Sequence, residues 1–387
     1  MRPRAENALA FGVNGSLNRA MRFVLPVALL THGVVFGVTL PTVDLSGDTN
    51  RQVVVARGTE AVYQGQPTTV LLPDGKTMFC VWTVGHGGTC GPMKRSDDGG
   101  KTWSGLLAPP DSWAQVRNCP AIYRLPDPQG RARLFVFAGQ GPDRAMQSAF
   151  SEDDGKTWSD MRTTGLKCVM PFTTIEPIEG GKKLLGLTNI RRPGETKDKF
   201  SNVIAQSISE DGGRTWSAWR ILLDLGELKP CEPALVRSRD GRQLLCLLRE
   251  NASRVSLYMT SNDEGRTWSG TKPLPAGLCG DRHMPRYAAD GRLVVCFRDT
   301  GKDSPTRNHF VAWVGRYEDI VNGREGQYRI KLLNSHAGGD CGYPGLEVLP
   351  DGAFVATTYI KYRPGSEKQS VVSTRFKLDE TDKLVKP

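Results

Sequence analysis

"SEDDGKTWS", residues 151–159, sets three acids, a glycine and a tryptophan in nine positions. The pattern Ser-x-Asp-x-Gly-x-Thr-Trp recurs without mismatch in "SDDGGKTW" ending at Trp103, "SEDDGKTW" at Trp158, "SEDGGRTW" at Trp216 and "SNDEGRTW" at Trp268. Successive tryptophans stand 55, 58 and 52 residues apart, a period in the range of propeller blades. The chemistry is that of a tight turn between strands: Asp accepts backbone N–H bonds, Gly takes a conformation closed to other residues, and Trp buries a large ring. A cation loop wants several oxygen ligands, and only one acid is common to all four copies.

A second repeat runs out of phase with the first. A proline opens a strand-like run in "GQPTTVLL", "NCPAIYRL", "VMPFTTIE", "CEPALVRS", "HMPRYAAD" and "GYPGLEVL", at Pro67, Pro120, Pro171, Pro233, Pro285 and Pro344. Most units continue with a turn such as "PDG" or "ADG" and an apolar strand such as "KTMFCVW" or "RLVVCF". A variable loop, a third strand and the Asp turn follow, and no run carries a sustained helical period. Six units of four strands predict an all-β, six-bladed β-propeller with antiparallel four-stranded blades. The sixth unit supplies three strands, and "RQVVVAR" at 51–57 is expected to provide the fourth, closing the ring with the N- and C-terminal strands and removing an exposed edge.

The chain divides into a leader and signal-peptide region at 1–48 and a single propeller domain at 49–387. The stretch from Met21, "MRFVLPVALLTHGVVFGVTLP", has a positive start and an apolar run too short and interrupted for a membrane span. It predicts a signal peptide starting near Met21, a secreted or periplasmic location, and no stable membrane insertion after its removal. A formal net charge of +10 suits an anionic partner such as nucleic acid, a membrane surface or an acidic glycan, and no nucleic-acid signature accompanies it; the protein is expected to be a monomer. Nine cysteines without a C-x-x-C pair give no zinc or redox motif, and no metal or cofactor is called for. Cys80 and Cys90 flank a loop and are a candidate disulfide.

The four Asp turns in a six-unit chain resemble those of the Asp-box sialidases (neuraminidases) and their wider superfamily, over residues 51 to about 378. The resemblance implies a propeller whose Asp turns lie opposite the active site. It also implies an acidic glycan as the substrate, a tyrosine nucleophile with a glutamate partner, three arginines on the substrate carboxylate, and an aspartate acid/base. Such a tyrosine departs from the usual carboxylate pair of glycosidases; a neutral phenol avoids repulsion from a carboxylate on the anomeric carbon.

Residues just before the six prolines, at the mouths of the inner strands, are Gln66, Cys119, Met170, Glu232, Met284 and Tyr343. Ends of second strands carry Arg191, Arg192, Arg249, Arg298 and Arg363, which predict a cationic rim. By resemblance, Tyr343 in "CGYPGLEV" matches the nucleophile, Glu232 in "CEPALV" its partner, and Arg249 in "LLREN" the second arginine. The third is Arg307 in "SPTRNHF", with Arg298 or Arg316 as rivals. The first unit departs from the pattern: where sialidases carry an Arg-Ile-Pro-like sequence this chain has "QGQPTT", with Gly65 and Gln66, and the following loop "TVGHGGTCGPMKRS" holds no acid. His86 in that loop is the candidate acid/base, and "GDRHMPRY" adds Asp281, Arg282 and His283 at the fifth mouth. Candidate catalytic residues are thus Tyr343, Glu232 and His86, and candidate substrate-binding residues Arg249, Arg307, Arg298, Gln66, Arg282 and His283.

The leading functional expectation is a secreted exo-glycoside hydrolase removing terminal sialic or related nonulosonic acid. The alternatives are a sialidase-like hydrolase or lyase acting on a uronate-containing glycan, and a non-catalytic glycan-binding propeller.

Overall fold

The computed structural model describes residues 38–196 and 202–386. The proposed signal segment and most of the leader lie outside the described residues. Six sheets follow one another along the chain, each a meander running outward from an inner strand. The inner strands are Gln64–Leu71, Ala121–Pro126, Thr174–Ile178, Pro230–Arg237, Gly280–Tyr287 and Gly342–Val348, so the proline repeat reads out the axis of a six-bladed β-propeller.

Blades 2, 3, 4 and 6 have four strands, whereas blade 1 has three, Gln64–Leu71, Met78–Val84 and Met93–Ser96. Its outer position falls on "SGLLAPPDSW", where two successive prolines remove the donors that a ladder needs. Blade 5 has five strands, because Thr42–Asp44 pairs in parallel with Tyr328–Leu333; these residues fall within the stretch read from sequence as leader. Ring closure is as expected: Gln52–Ala56 pairs antiparallel with Ser370–Phe376 as the outer strand of blade 6.

The Asp turns bind blade to blade. In the second copy Ser151 Oγ donates to Asp153 Oδ1 at 2.8 Å and accepts the Gly155 N–H at 2.8 Å, while the Thr157 N–H donates to Asp153 Oδ1 at 2.9 Å. The Thr157 amide and hydroxyl pull the Asp153 carboxyl down to about 2. Gly155 has φ +84°, and a Cβ there would stand 2.3 Å from the Phe79 ring of the preceding blade. Trp158 meets the same Phe79 ring edge-on at 6.3 Å and Trp113 at 5.3 Å. Each turn is therefore a spacer that sets how closely two blades pack.

All nine cysteines are free thiols. The expected Cys80–Cys90 bridge is not formed: Cys80 packs with Val55, Trp82 and Val371, whereas Cys90 packs with Val116 and Ala138.

Candidate active site

The inner strands share a backbone device at the mouth of the axis. Gln66, Cys119, Glu232, Arg282 and Tyr343 have φ of 45°, 49°, 50°, 57° and 56°. Ladders slip register at Gly65/Thr68, Cys231/Ala234, Asp281/Met284 and Gly342/Gly345. Non-glycine residues in the left-handed region cost roughly 1–3 kcal/mol each and concentrate at functional sites. Here four bulges turn Gln66, Glu232, Arg282 and Tyr343 off the sheet at the axis, and Cys119 takes the same backbone conformation just before its strand. In blade 5 this corrects the sequence reading: Arg282, not Met284, holds the equivalent position, and His283 stands where the other bulges carry proline.

Tyr343 and Glu232, contributed by blades 6 and 4, meet there. The Tyr343 hydroxyl donates to Glu232 Oε1, and Arg249 Nη1 donates to Glu232 Oε2 at 3.0 Å. Burial alone would raise the Glu232 carboxyl, but Arg249, Arg282 and the Tyr343 hydrogen bond outweigh it and hold the group below the ordinary glutamate value. Burial and the Glu232 charge push the Tyr343 phenol well above its ordinary value. The pair is therefore a neutral phenol donating to a carboxylate. The Arg282 guanidinium lies 5.5 Å from the centre of the Tyr343 ring.

A second carboxylate, Asp281, ties the arginines together. Arg249 Nε lies 2.9 Å from Asp281 Oδ1, and Arg298 Nε donates to Asp281 Oδ2 at 3.0 Å with its Nη2 on the same oxygen. Arg298 Nη1 donates to the carbonyls of Gly339 and Cys341. Of the expected carboxylate-binding set, Arg249 and Arg298 are thus brought together. Arg307 is not: its side chain is exposed, with one long bond of 3.4 Å to the Lys302 carbonyl. Much of the expected cationic rim is neutralised locally, Arg191 by Asp143 at 2.9 Å, Arg192 by Asp224 at 2.6 Å and Arg363 by Glu367 at 2.5 Å.

On the other side of Tyr343 stands a group that the sequence did not reveal. The Tyr63 hydroxyl donates to Asp340 Oδ1 at 2.9 Å and lies 3.1 Å from His86 Nδ1, which is itself 3.4 Å from Asp340. Tyr359 links this group to the nucleophile candidate, with ring centres 6.1 Å from Tyr343, 5.9 Å from Tyr63 and 6.1 Å from His86. Burial acts to raise Asp340, yet its bonds with His86 and Tyr63 leave it below the ordinary aspartate value, while burial drives Tyr63 upward. Asp340, on the connection into blade 6, thus sets a carboxylate beside His86 of the acid-free first-blade loop. The His86 side chain is 60% exposed at the mouth.

Gln66 and His283 take structural positions. The Gln66 amide oxygen accepts from the Gly87 N–H at 2.7 Å and from Thr83 Oγ1 at 3.0 Å, holding the His86 loop. His283 is buried against Phe297 at 5.3 Å and pairs through Nε2 with the Leu278 carbonyl at 2.8 Å. That carbonyl only accepts, so the ring proton is on Nε2, and burial lowers the imidazole pKa. It lies below the mouth, lining a cavity of about 310 Å³ along the axis. Among the described residues no group of three or more His, Cys, Asp or Glu is placed to hold a metal ion, and no helix is long and apolar enough to cross a membrane.

Comparison with known proteins agrees with the architecture. A model of the BNR repeat-like domain matches residues 106–278. A Dyadobacter fermentans protein of unknown function superposes with a TM-score of 0.67 at 16% identity, covering 84% of this chain and 97% of the other. The GH93 α-L-arabinofuranosidase of Fusarium graminearum, solved with arabinobiose, gives 0.61 at 14% identity over 85% and 99%. The intramolecular trans-sialidase of Ruminococcus gnavus gives 0.57 at 15% identity over 87% and 98%. No curated protein sequence matches significantly. Four Asp turns, a repeat model matched over residues 106–278 and a six-bladed ring agree on a BNR repeat-like propeller, similar in fold to sialidases and other glycoside hydrolases.

Proposed function

We propose that the protein is an exo-acting glycoside hydrolase in which Tyr343 attacks the anomeric carbon of a terminal sugar. The observation that carries this reading is the buried hydrogen bond from the Tyr343 phenol to the ionised Glu232 carboxylate at the axis. A bond forms from Tyr343 Oη to the anomeric carbon as the glycosidic C–O bond breaks; the phenol proton passes to Glu232, and the leaving oxygen takes a proton from His86. Water then attacks the same carbon, giving a proton to His86, and Tyr343 leaves and recovers its proton from Glu232. Asp340 and Tyr63 orient His86 from its Nδ1 side.

Terminal sialic or related nonulosonic acid is the substrate that the family resemblance supplies, and the neutral nucleophile supports it. A different glycan is a second reading, favoured by Gly65 where the resemblance calls for an arginine. Of the three neighbours named, the two with a known activity differ in the same way, one a trans-sialidase and one an arabinofuranosidase.

The test is a panel of fluorogenic sialosides, 4-nitrophenyl glycosides of neutral pentoses and hexoses, and uronate polymers. Tyr343→Phe and Glu232→Gln are expected to lower kcat by about a hundredfold or more on whichever substrate is cleaved, with thermal stability retained. Turnover unchanged in both variants rejects the mechanism. A product absorbing in the ultraviolet from a uronate polymer marks elimination instead of hydrolysis.

A further inference from the structure

We propose that the central site takes a sugar whose bound ring carries no carboxylate, and that Asp281 enforces this selectivity by supplying from within the protein the carboxylate that the arginines would otherwise take from the substrate. The proposal rests on the reading of the Tyr343–Glu232 pair as a sugar site and takes the second substrate reading, a glycan other than sialic acid, over the first.

Counting donors is the first argument. A guanidinium has five N–H bonds. In Arg298, Nε and Nη2 are directed at Asp281 and Nη1 serves two carbonyls, so almost nothing of its fork remains for a ligand. Arg249 donates Nε to Asn251 Oδ1 at 2.8 Å, with Asp281 Oδ1 at 2.9 Å from the same nitrogen, and Nη1 to Glu232. Asp281 is itself buried between them. At Arg298 an arriving carboxylate finds the two parallel donors that suit it already engaged, and displacing Asp281 would strand a buried charge without its partners.

The second argument comes from the first blade. A Cβ at position 65 would stand 2.7 Å from Tyr63 Cε1. The Tyr63 ring therefore fills the space that a side chain at 65 would enter, and it brings Asp340 with it through a 2.9 Å hydrogen bond. An aromatic wall of Tyr63, Tyr359 and Tyr343, edged by a carboxylate, stands beside the nucleophile candidate. Aromatic faces next to hydrogen-bonding edges suit the C–H faces and hydroxyls of an uncharged sugar.

The charge balance agrees. Around the axis Arg249, Arg282 and Arg298 face Glu232, Asp281 and Asp340, three guanidinium groups against three carboxylates, and Arg307 points to solvent. The site has little net field to draw in an anion.

The test titrates the wild-type protein with N-acetylneuraminic acid, glucuronic acid and a set of neutral monosaccharides, by calorimetry or saturation-transfer NMR. The expected result is a neutral sugar binding at least tenfold more tightly than either acid, with an affinity that 0.5 M NaCl leaves unchanged. Asp281→Asn keeps the shape and frees the two forks; it is expected to gain at least tenfold in affinity for N-acetylneuraminic acid, and that gain should shrink in high salt. Tighter binding of an acid than of every neutral sugar by the wild type overturns the proposal, as does a folded Asp281→Asn protein with no such gain, or no sugar binding at all. Should Asp281→Asn not fold, the wild-type preference alone decides. Failure here is distinct from failure of the catalytic reading: an acidic glycoside cleaved by the wild type and lost in Tyr343→Phe keeps the Tyr–Glu pair and rejects the neutral substrate.

Discussion

Tyr343 and Glu232 are one titrating unit, and its direction fixes a pH dependence. The Glu232 carboxyl is buried, which opposes ionisation, but Arg249, Arg282 and the phenol bond win and lower its pKa. A depressed carboxyl stays in its base form above that lowered value and loses it only as pH falls through it. The acid limb of kcat/KM should therefore lie below about pH 4.3, the ordinary glutamate value, in a rate profile on any cleaved substrate; a limb at pH 5 or higher would mean that a different group limits the reaction. The same residues show what the sequence could reveal. Pro233 and Pro344 mark the mouths of two inner strands, so Glu232 and Tyr343 were legible as equivalent positions, and their pairing came from the family resemblance. In blade 5 the marker is displaced: His283 stands in the proline's place and Pro285 lies two residues further on, which hid Arg282 as the equivalent side chain. Tyr63 and Asp340 escaped because their partnership joins residues 277 apart. Each lies three residues before a left-handed residue, Gln66 and Tyr343, and that shared offset is the signal that could have found them.

At the scale of the element, blade 5 carries most of the site's order. Asp299 follows Arg298 on the strand Leu293–Asp299, and it accepts from Arg329 Nη2 at 2.7 Å, Thr306 Oγ1 at 2.7 Å and the Gly301 N–H at 2.9 Å. Both members of the Arg329–Asp299 pair are only 1% exposed. The pair fastens residues 301–306 to the outer part of the blade and so fixes the strand end that presents Arg298. Removing one partner of a buried ion pair typically costs about 3–5 kcal/mol, so Asp299→Asn should lower Tm by several degrees and raise KM through a loosened Arg298; a thermal melt and a Michaelis series check both. A melt unchanged within a degree would show that the pair contributes little. The Asp turns were legible as elements because their chemistry is local, every bond falling within six residues. The missing outer strand of blade 1 was not, although Pro109 and Pro110 forbid it.

For the whole molecule, the repeats gave blade number and ring closure, since both are properties of period and count. The balance of charge at the centre was not legible, because a row of arginines reads as a cationic rim until the acids opposite them in space are known. Closure makes the ring respond as a unit. Val55, on Gln52–Ala56, packs with Cys80, Trp82 and Val371 and thereby joins blade 6 to blade 1. Val55→Asp buries an unpaired charge at that seam, at a cost of about 3 kcal/mol or more. The expected outcome is a lower Tm with fluorescence and circular dichroism still falling in a single coincident transition; separate transitions would show that blades 1 and 6 melt independently of the others.

The seam also has a history within each molecule's making. Gln52–Ala56 leaves the ribosome near the beginning of the propeller, whereas its partner Ser370–Phe376 follows only after all the intervening blades. At roughly 5–20 residues per second the first strand waits on the order of tens of seconds for a mate. Throughout that interval its Val-rich edge is open to any other chain, so the most vulnerable moment of this protein falls during its translation, before the ring exists.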